Sequence, residues 1–251
     1  RSGKAAPLPT TAQLVAPRLS ADGLQAAGVI VDQSNRGDVY SLDVKRGTTT
    51  RLTFTGTNHN PIWGPRGRVV FGATVDNRHG IYGTESDGSS NARLLLATDT
   101  AAVPLSVSPD SQTLIYLERS RIFVYTIGGA SRPLHEPAHG REAGAQLSPD
   151  GKWVAYTSDE SGRYEAYIHA FPEAGRRERV SVEGAQYVRW AGNGRELIVW
   201  NAGQTGNFSI RSIAVQTAPA LQLGKPVALF TNTSAQLTDF SADGAHGIAR
   251  R

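Results

Sequence analysis

The sequence contains neither cysteine nor methionine in its 251 residues. Without cysteine the chain has no disulfide, no thiol nucleophile and no thiolate ligand for a metal. Because the chain begins with Arg1 and lacks methionine, we expect that a segment upstream of it has been removed. No apolar run approaches the length of a membrane span, and the longest, AAGVIV (26–31), has the length of a single strand.

A strong charge of either sign is also missing. Lysine and arginine number 26 against 22 aspartates and glutamates, which gives a formal net charge of +4. A nucleic-acid-binding protein usually carries a basic stripe with interleaved aromatic residues. The compact basic group found here is a single short one, at 176–179. We therefore expect no nucleic-acid partner.

Helical periodicity is absent over any useful length, whereas one short pattern recurs along the whole chain. The pattern is a short apolar stretch followed by a turn of the type S-P-D-G, spaced at intervals of 40 to 50 residues. That period is typical of propeller blades. The copies are APRLSADG (16–23), NPIWGPRG (60–67), PLSVSPDS (104–111), GAQLSPDG (144–151), YVRWAGNG (187–194) and TDFSADGA (238–245).

Each copy is followed by further strand signals. In S-P-D-G, proline presets φ, aspartate accepts backbone hydrogen bonds and glycine accepts a positive φ. A β-rich run comes next, as in KWVAYTS (152–158), then a polar turn, a third apolar run such as RIFVYTI (121–127), and a short fourth strand. The pattern indicates four antiparallel strands per repeat.

These repeats predict an all-β fold, a six-bladed β-propeller of four-stranded antiparallel blades that forms one domain over residues 1–251. The blades are expected to start near residues 15, 59, 103, 143, 186 and 237. SGKAAPL (2–8) matches the fourth-strand segment RGTTTRL (46–52). Strands from both termini are therefore expected to close the last blade, with residues 1–10 completing it and removing the exposed edge.

The repeated S-P-D-G followed by alternating apolar residues resembles the TolB-type, WD-repeat-like propellers of bacteria. The stretch 147–200 and the segment IAVQTAPALQLGKPVALF (213–230) are similar to the extracytoplasmic propeller domains of bacterial serine/threonine kinases. The resemblance implies an extracytoplasmic, bacterial module that binds a protein or a ligand. The chain departs from the motif at GPRG (64–67) and AGNG (191–194), which lack the turn aspartate.

The segment HEPAH (135–139) matches the pattern His-Glu-x-x-His, which on a helix holds zinc between two imidazoles. Pro137 would interrupt that helix, and the connection between repeats is too short to contain one. We interpret HEPAH as a loop between the third and fourth blades. No G-x-S-x-G elbow and no kinase motif occurs either, so we predict no catalytic residue, no metal and no cofactor.

Candidate binding residues lie in the polar loops that a propeller places at one end of its blades. A second group lies in the first strands, near the expected axis, where polar side chains either bind a ligand or hydrate the channel. The loop candidates are His59, His79, His135, His139, Arg36 and Asp159, and the first-strand candidates are Arg18 and Arg189.

The predicted function is therefore that of a non-catalytic, monomeric module that binds a protein or a small ligand. Its expected context is the sensor domain of a bacterial envelope receptor such as a serine/threonine kinase. One alternative is a free-standing, TolB-like periplasmic protein that interacts with other proteins. Another is the regulatory propeller of a prolyl oligopeptidase-type hydrolase whose catalytic domain lies elsewhere.

Overall fold

The computed structural model describes residues 13–136, 140–173, 175–202, 208–233, 236–240 and 247–250. These residues form β-strands joined by turns, together with one short 3-10 turn at Pro65–Gly67. Across the described ranges, no helix is long and apolar enough to cross a membrane.

Four consecutive antiparallel sheets of four strands each form blades 1 to 4. Blade 1 contains β1 (Val15–Leu19), β2 (Gln25–Val31), β3 (Gly37–Asp43) and β4 (Thr49–Arg51). Blade 2 contains β5 (Thr57–Trp63), β6 (Arg68–Val75), β7 (Arg78–Glu85) and β8 (Arg93–Thr98). Blade 3 contains β9 (Val103–Val107), β10 (Thr113–Glu118), β11 (Arg121–Thr126) and β12 (Ser131–Pro133). Blade 4 contains β13 (Glu142–Leu147), β14 (Trp153–Ser158), β15 (Glu165–Ala170) and β16 (Arg177–Arg179).

Blade 5 is built on a longer third strand. It contains β17 (Tyr187–Trp190), β18 (Glu196–Ala202), β19 (Phe208–Gln216), β20 (Gln222–Leu223) and β21 (Val227–Thr233). The first half of β19 pairs with β21, whereas its last two residues pair with β20. The insertion between β19 and β21 therefore lengthens the sheet, and its Leu221 packs into the core between blades 4 and 5.

The prediction of six blades is wrong, because the described residues form five blades. Each has four antiparallel strands in a row, and in blade 5 β21 is added beside β19. The sixth repeat contributes β22 (Gln236–Phe240) and β23 (Gly247–Arg250), which form a separate two-stranded sheet. An S-P-D-G turn marks a hairpin between a first and a second strand, and a hairpin alone does not make a blade. The closing strand expected in residues 1–10 lies outside the described residues.

The S-P-D-G turns fold as their chemistry predicts. Ser148 Oγ donates to Asp150 at 2.5 Å and accepts the N–H of Trp153 at 3.0 Å, and the same contacts occur at 20–25 and 108–113. In AGNG, which lacks aspartate, Asn193 Oδ1 accepts the N–H of Arg195 at 2.9 Å. The amide thus replaces the carboxylate as the acceptor in that turn.

Apolar clusters lie between blades 1 and 2, between blades 3 and 4, and between blades 4 and 5. Four successive residues of β18, Leu197 to Trp200, are all buried, because a central strand of a propeller is covered on both faces. By contacts, the chain divides into two compact units: residues 1–104 with 237–248, and residues 105–236 with 249–251. Blades 1 and 2 belong to the first unit, and blades 4 and 5 belong to the second.

Candidate functional site

Of the predicted loop residues, Arg36, His135 and Asp159 lie in irregular segments between strands, whereas His59 and His79 lie within β5 and β7, near the ends of these strands. His139 lies outside the described residues. The five described residues lie at or near one end of their blades, which we call the connection end. It consists of the hairpin loop between the second and third strands and the connection that leads from the fourth strand to the next blade. Antiparallel strands alternate in direction, so these two segments share one end of the sheet. The opposite end, called the turn end, carries the S-P-D-G turns and the turns between third and fourth strands.

A hydrogen-bond network fixes the connection that leaves blade 1. Thr53 Oγ1 accepts the N–H of Val39 at 2.9 Å and donates to Asp38 at 2.9 Å. Arg51 donates to Asp38 at 2.6 Å and to the carbonyl of Thr53 at 2.9 Å. Asn58, in the first strand of blade 2, donates to two backbone carbonyls at 2.9 and 3.1 Å. Side chains thus hold the backbone on both sides of this connection.

The connection that leaves blade 4 is held in the same way. Ser181 Oγ accepts the N–H of Ala166 at 2.8 Å and donates to the buried carboxylate of Glu165. Arg163 donates to Glu165 at 2.7 Å and also to the carbonyl of Val182. Glu165 further accepts a backbone N–H of the connection at 3.0 Å. Blades 1 and 4 therefore share a set of contacts. In each, a hydroxyl caps the start of the third strand and donates to a carboxylate, and an arginine donates to that carboxylate and to a carbonyl of the connection.

His135 occupies the position of this hydroxyl in blade 3. The residue before it, Leu134, donates its N–H to the carbonyl of Ile122 at 2.9 Å, as the residues before Thr53 and Ser181 do in their own blades. An imidazole replaces a hydroxyl at this position, so the start of the third strand needs another acceptor for its N–H.

Glu142 supplies that acceptor from the next blade. One carboxylate oxygen accepts the N–H of Ile122 at 2.6 Å, and the other lies 3.0 Å from His135 Nε2. Glu142 begins the first strand of blade 4 and is buried. It lies five residues before Leu147, as Asn58 lies five residues before Trp63 in blade 2. Both side chains therefore reach back from a first strand to the preceding blade.

The zinc hypothesis for HEPAH requires His135 and His139 on one face of a helix. His135 lies in an irregular segment after β12, and His139 lies outside the described residues. In the part of the chain that the structure describes, no three histidine, aspartate or glutamate side chains are grouped closely enough to hold a metal ion. His135 instead joins blade 3 to blade 4 through its contact with Glu142.

Two further rings pack against His135. The ring of His169 stacks on it with the centroids 5.8 Å apart, and the ring of Tyr156 lies at 5.6 Å. Burial lowers the pKa of His169, and a hydrogen bond to the carbonyl of Ala170 opposes this effect. The neighbouring His135, Arg177 and Arg132 lower the pKa of His169 further. We expect His169 to be a neutral ring within this cluster at neutral pH.

Arg177 contacts Tyr156 and two further residues of blade 4. It donates to the hydroxyl of Tyr156 at 2.6 Å, forms an ion pair with Glu160 and stacks over Tyr167 with its guanidinium carbon 4.7 Å from the ring centre. Burial opposes the charge on Arg177, but the hydrogen bonds to Glu160 and Tyr156 outweigh it and raise its pKa. Burial is also the main cause that raises the pKa of Tyr156. This cluster is a structural support of blade 4.

The structure brings His59 and His79 close together in blade 2. His59 Nδ1 lies 3.3 Å from the side-chain oxygen of Asn60, and His79 Nδ1 lies 2.9 Å from Thr74 Oγ1. Gly72 has no side chain, and the ring of His59 fills the space that a Cβ would need, at 2.2 Å. Burial is the main cause that lowers the pKa of His59. A hydrogen bond to Asn60 opposes this effect, and the neighbouring His79 lowers the pKa further. Each ring has a local polar partner.

Arg36 and Asp159 interact within their own loops. Arg36 is exposed and pairs with Asp32, whose carboxylate also accepts the N–H of Arg36 at 2.9 Å. Asp159 accepts the N–H of Arg141 at 2.7 Å, which ties the hairpin loop of blade 4 to the connection that enters the blade. Both residues stabilise the conformation of a loop. No described contact joins either of them to the candidate histidines.

The polar first-strand residues include direct links between blades. Ser106 Oγ accepts the N–H of Leu147 at 3.1 Å, and Gln146 accepts the N–H of Trp190 at 2.8 Å. The sequence analysis expected polar first-strand side chains either to bind a ligand or to hydrate the channel. The hydrogen bonds of Ser106 and Gln146 show that these two side chains join the first strand of one blade to the first strand of the next.

The two first-strand arginines lie in different units. The carbonyl of Arg18 accepts the indole N–H of Trp63 at 2.8 Å, and the Arg18 side chain is half-buried. Arg189 is buried and donates to the carbonyl of Val188 at 3.0 Å. A common ligand-binding role for the two remains a prediction.

Apolar side chains exposed at the connection ends were missed by the sequence reasoning. Phe54 follows Thr53 and is 68% exposed, and Val182 follows Ser181 and is 60% exposed. The partly exposed ring of Tyr187 stacks on the buried ring of Trp200 with the centroids 5.1 Å apart. A signal was present in the sequence, since Phe54 and Val182 each follow a hydroxyl residue, Thr53 or Ser181, that lies two positions after a fourth strand.

The chain resembles solved propellers of low sequence identity, and no protein-family model matches it. The putative TolB from Agrobacterium tumefaciens superposes with a TM-score of 0.70 at 18% identity, over 95% of this chain and 90% of that one. TolB from Acinetobacter baumannii superposes with a TM-score of 0.64 at 20% identity, over 86% of this chain and 55% of that one. The chain therefore spans about half the length of this second protein.

An enzyme shares the fold as well. An oligogalacturonate lyase in complex with manganese superposes with a TM-score of 0.62 at 13% identity, over 90% of this chain and 67% of that one. At such identities the similarity establishes a TolB-like β-propeller fold and leaves function to be argued from this chain's own side chains.

Proposed function

We propose that the chain is a non-catalytic propeller module that binds a protein partner through the connection ends of its blades. The observation that carries the proposal is the exposure of Phe54 and Val182 on connections whose backbones are held by side-chain hydrogen bonds. Loops on a rigid scaffold are common binding elements, and aromatic residues and arginine are enriched at protein interfaces. A small ligand is the alternative occupant of the same end.

The contacts of the clustered titratable side chains support a binding role rather than an enzymatic one. His135 and Glu142 hold the connection between blades 3 and 4, and Tyr156, Arg177 and Glu160 hold one another. These groups serve the scaffold. The lyase of the same fold shows that the architecture itself does not decide between the two roles.

We further propose that the module is extracytoplasmic and acts as the sensor domain of a bacterial envelope receptor such as a serine/threonine kinase. The likeness to two bacterial TolB structures and the sequence resemblance over 147–200 support this context. The full coding sequence tests it. A membrane segment preceded by kinase motifs fits the receptor, and a bare signal peptide fits a free-standing TolB-like protein. A downstream nucleophile elbow fits a hydrolase.

Site-specific cross-linking tests the binding surface. A photoreactive amino acid replaces Phe54 or Val182 at the connection end, or Leu24 at the turn end as the control. Envelope extract is irradiated with each protein, the captured partner is identified and purified, and its affinity is measured by calorimetry. We expect capture at Phe54 or Val182, and weaker binding to a Phe54→Ser variant. Capture at Leu24 alone would place the binding surface at the other end of the blades.

A further inference from the structure

We propose that the connection 53–58 after blade 1 is a docking site for an acidic protein segment, one that carries carboxylates beside apolar side chains. This inference rests on the proposed function and adds the chemistry of the partner. The connection 181–186 after blade 4 is held in a similar way but exposes a carboxylate, and it serves as a comparison.

The first argument is that polar side chains bind the backbone of the connection, whereas an apolar side chain is exposed to solvent. In 181–186, Asn201 donates to the carbonyl of Gly184 at 2.8 Å and accepts the N–H of Gln186 at 2.8 Å, and Arg163 donates to the carbonyl of Val182. The polar side chains thus bind the backbone, while the apolar side chain of Val182 faces solvent. The connection 53–58 repeats the arrangement around Phe54. A loop fixed in advance loses little conformational freedom on binding.

The second argument is the charge that the connection 53–58 presents. The side chain of Asp38 is 20% exposed, whereas that of its partner Arg51 is 44% exposed, so the guanidinium is the solvent-facing end of this ion pair. A partner carboxylate is therefore attracted there, and a partner ammonium is repelled. In 181–186 the exposed charge beside Val182 is the carboxylate of Glu183, which is 75% exposed while its partner Arg211 is 12% exposed.

The third argument is the distance between the cationic and the apolar group. The guanidinium carbon of Arg51 lies 4.9 Å from the centre of the Phe54 ring. A segment that engages one of these groups is in reach of the other, so a carboxylate and an apolar side chain close together in the partner fit the pair. Aromatic residues and arginines of this kind supply much of the binding energy of protein interfaces.

Blade 3 shows that the arrangement is not a general consequence of the fold. There the hydroxyl is replaced by His135, the following residue is Glu136, and the nearby Arg121 pairs with Glu136. This connection exposes a carboxylate in place of an apolar side chain. We expect it not to receive an acidic segment.

The test uses the full chain and three fluorescent peptides of equal length, composed of glutamate and leucine, of lysine and leucine, or of glutamate and serine. Fluorescence anisotropy measures their dissociation constants at low and at physiological salt. We expect the glutamate–leucine peptide to bind about tenfold more tightly than the other two, and less tightly as salt rises.

Variants of the connection locate the binding. Phe54→Ser and Arg51→Gln, singly and together, should raise the dissociation constant of the glutamate–leucine peptide at least about fivefold, whereas Val182→Ser should change it by less than about twofold. Arg51→Lys, which keeps the positive charge, should raise it by less. The matched control is Leu24→Ser with Arg46→Gln, a 62% exposed apolar side chain and a 79% exposed arginine at the turn end of blade 1. Thermal unfolding of each variant verifies that it is folded.

Three outcomes would overturn the inference. They are equal binding of the lysine–leucine peptide, an equal loss in the control variant, and no binding of any peptide. None of these affects the cross-linking result, which judges separately whether the connection ends bind a partner at all. A partner that cross-links at Phe54 but has a basic segment there would keep the proposed function and reject the acidic partner.

Discussion

His135 Nε2 lies 3.0 Å from one oxygen of Glu142, while the other oxygen of that carboxylate accepts the N–H of Ile122 at 2.6 Å. One buried side chain of blade 4 thus satisfies two donors of blade 3. Equivalent N–H groups in blades 1 and 4 are satisfied within the blade, by Thr53 and Ser181. The junction between blades 3 and 4 therefore depends on a side chain that crosses it.

Replacement of Glu142 by alanine should destabilise the protein by about 3 kcal/mol. The change leaves the N–H of Ile122 and the Nε2 of His135 without their acceptor in a buried place. Urea unfolding measures the loss, and hydrogen exchange should show the amide of Ile122 exchanging faster. A loss below about 0.5 kcal/mol would contradict the assigned role.

A double variant tests the same relationship by restoring the arrangement of blade 1. His135→Thr with Glu142→Asn places a hydroxyl at the position equivalent to Thr53 and an amide at the position equivalent to Asn58. The hydroxyl should cap Ile122 as Thr53 caps Val39, so the double variant should recover at least about half of the stability that Glu142→Ala loses. His135→Thr alone leaves Glu142 without its histidine and serves as the comparison.

Stability should fall as the pH is lowered from 7.5 to 5.5. Burial lowers the pKa of both His59 and His169 below the usual value of 6.5. In this range the unfolded chain therefore takes up protons that the folded chain does not, which favours unfolding. The stabilisation that the two neutral rings contribute is fully present well above pH 6.5. It is lost as the pH falls through 6.5 toward the lower pKa values of the two rings in the folded protein.

Thermal unfolding across this pH range measures the effect. His169→Gln removes one of the two groups and should make the decline shallower. The aspartates whose pKa is lowered, such as Asp22 and Asp110, titrate below pH 3.8 and do not contribute between 5.5 and 7.5. A melting temperature that rises on acidification would contradict the burial of both rings as neutral species.

Ser111 is expected to be a strained position that glycine relieves. It takes the place of glycine in an S-P-D-G turn and has φ of 61°, in the left-handed region. Ser111→Gly should stabilise the protein by about 1 kcal/mol. The matched control is Gly151→Ala, with φ of 70° and the nearest atom 3.8 Å from the new Cβ, which should cost about 1 kcal/mol through the backbone alone. Equal and opposite shifts in the urea midpoint are the expected result.

The local parts of this fold could be predicted from the sequence, since they depend on neighbouring residues. Ser148, Asp150 and Gly151 form their turn through contacts within a few residues, and the same chemistry recurs in each repeat. The first strands begin at residues 15, 57, 103, 142 and 187, against predicted starts near 15, 59, 103, 143 and 186. A turn motif therefore locates a hairpin well.

The long-range parts could not be predicted in this way. The sixth repeat has the turn motif, yet among the described residues β22 and β23 form a two-stranded sheet, because a blade depends on strands that the motif does not encode. The role of His135 depends on Glu142 in the next blade and on the hydroxyl that it replaces. HEPAH is correctly interpreted as a connection rather than a zinc helix, but its local pattern carries no information about Glu142 as the partner of His135.

Replacement of Gln146 by leucine should destabilise the protein by about 1 to 2 kcal/mol. Gln146 accepts the N–H of Trp190 at 2.8 Å, and leucine has similar size but leaves that N–H without the acceptor from blade 4. Hydrogen exchange should show faster exchange at the amide of Trp190, with little change at the amide of Leu147, which donates to Ser106. The control is Arg36→Ala, which removes an exposed ion pair and should change stability by less than about 0.5 kcal/mol. If Gln146 only hydrated the channel, leucine would leave the exchange of Trp190 unchanged, and the link between the first strands of blades 4 and 5 would have to be assigned to other contacts.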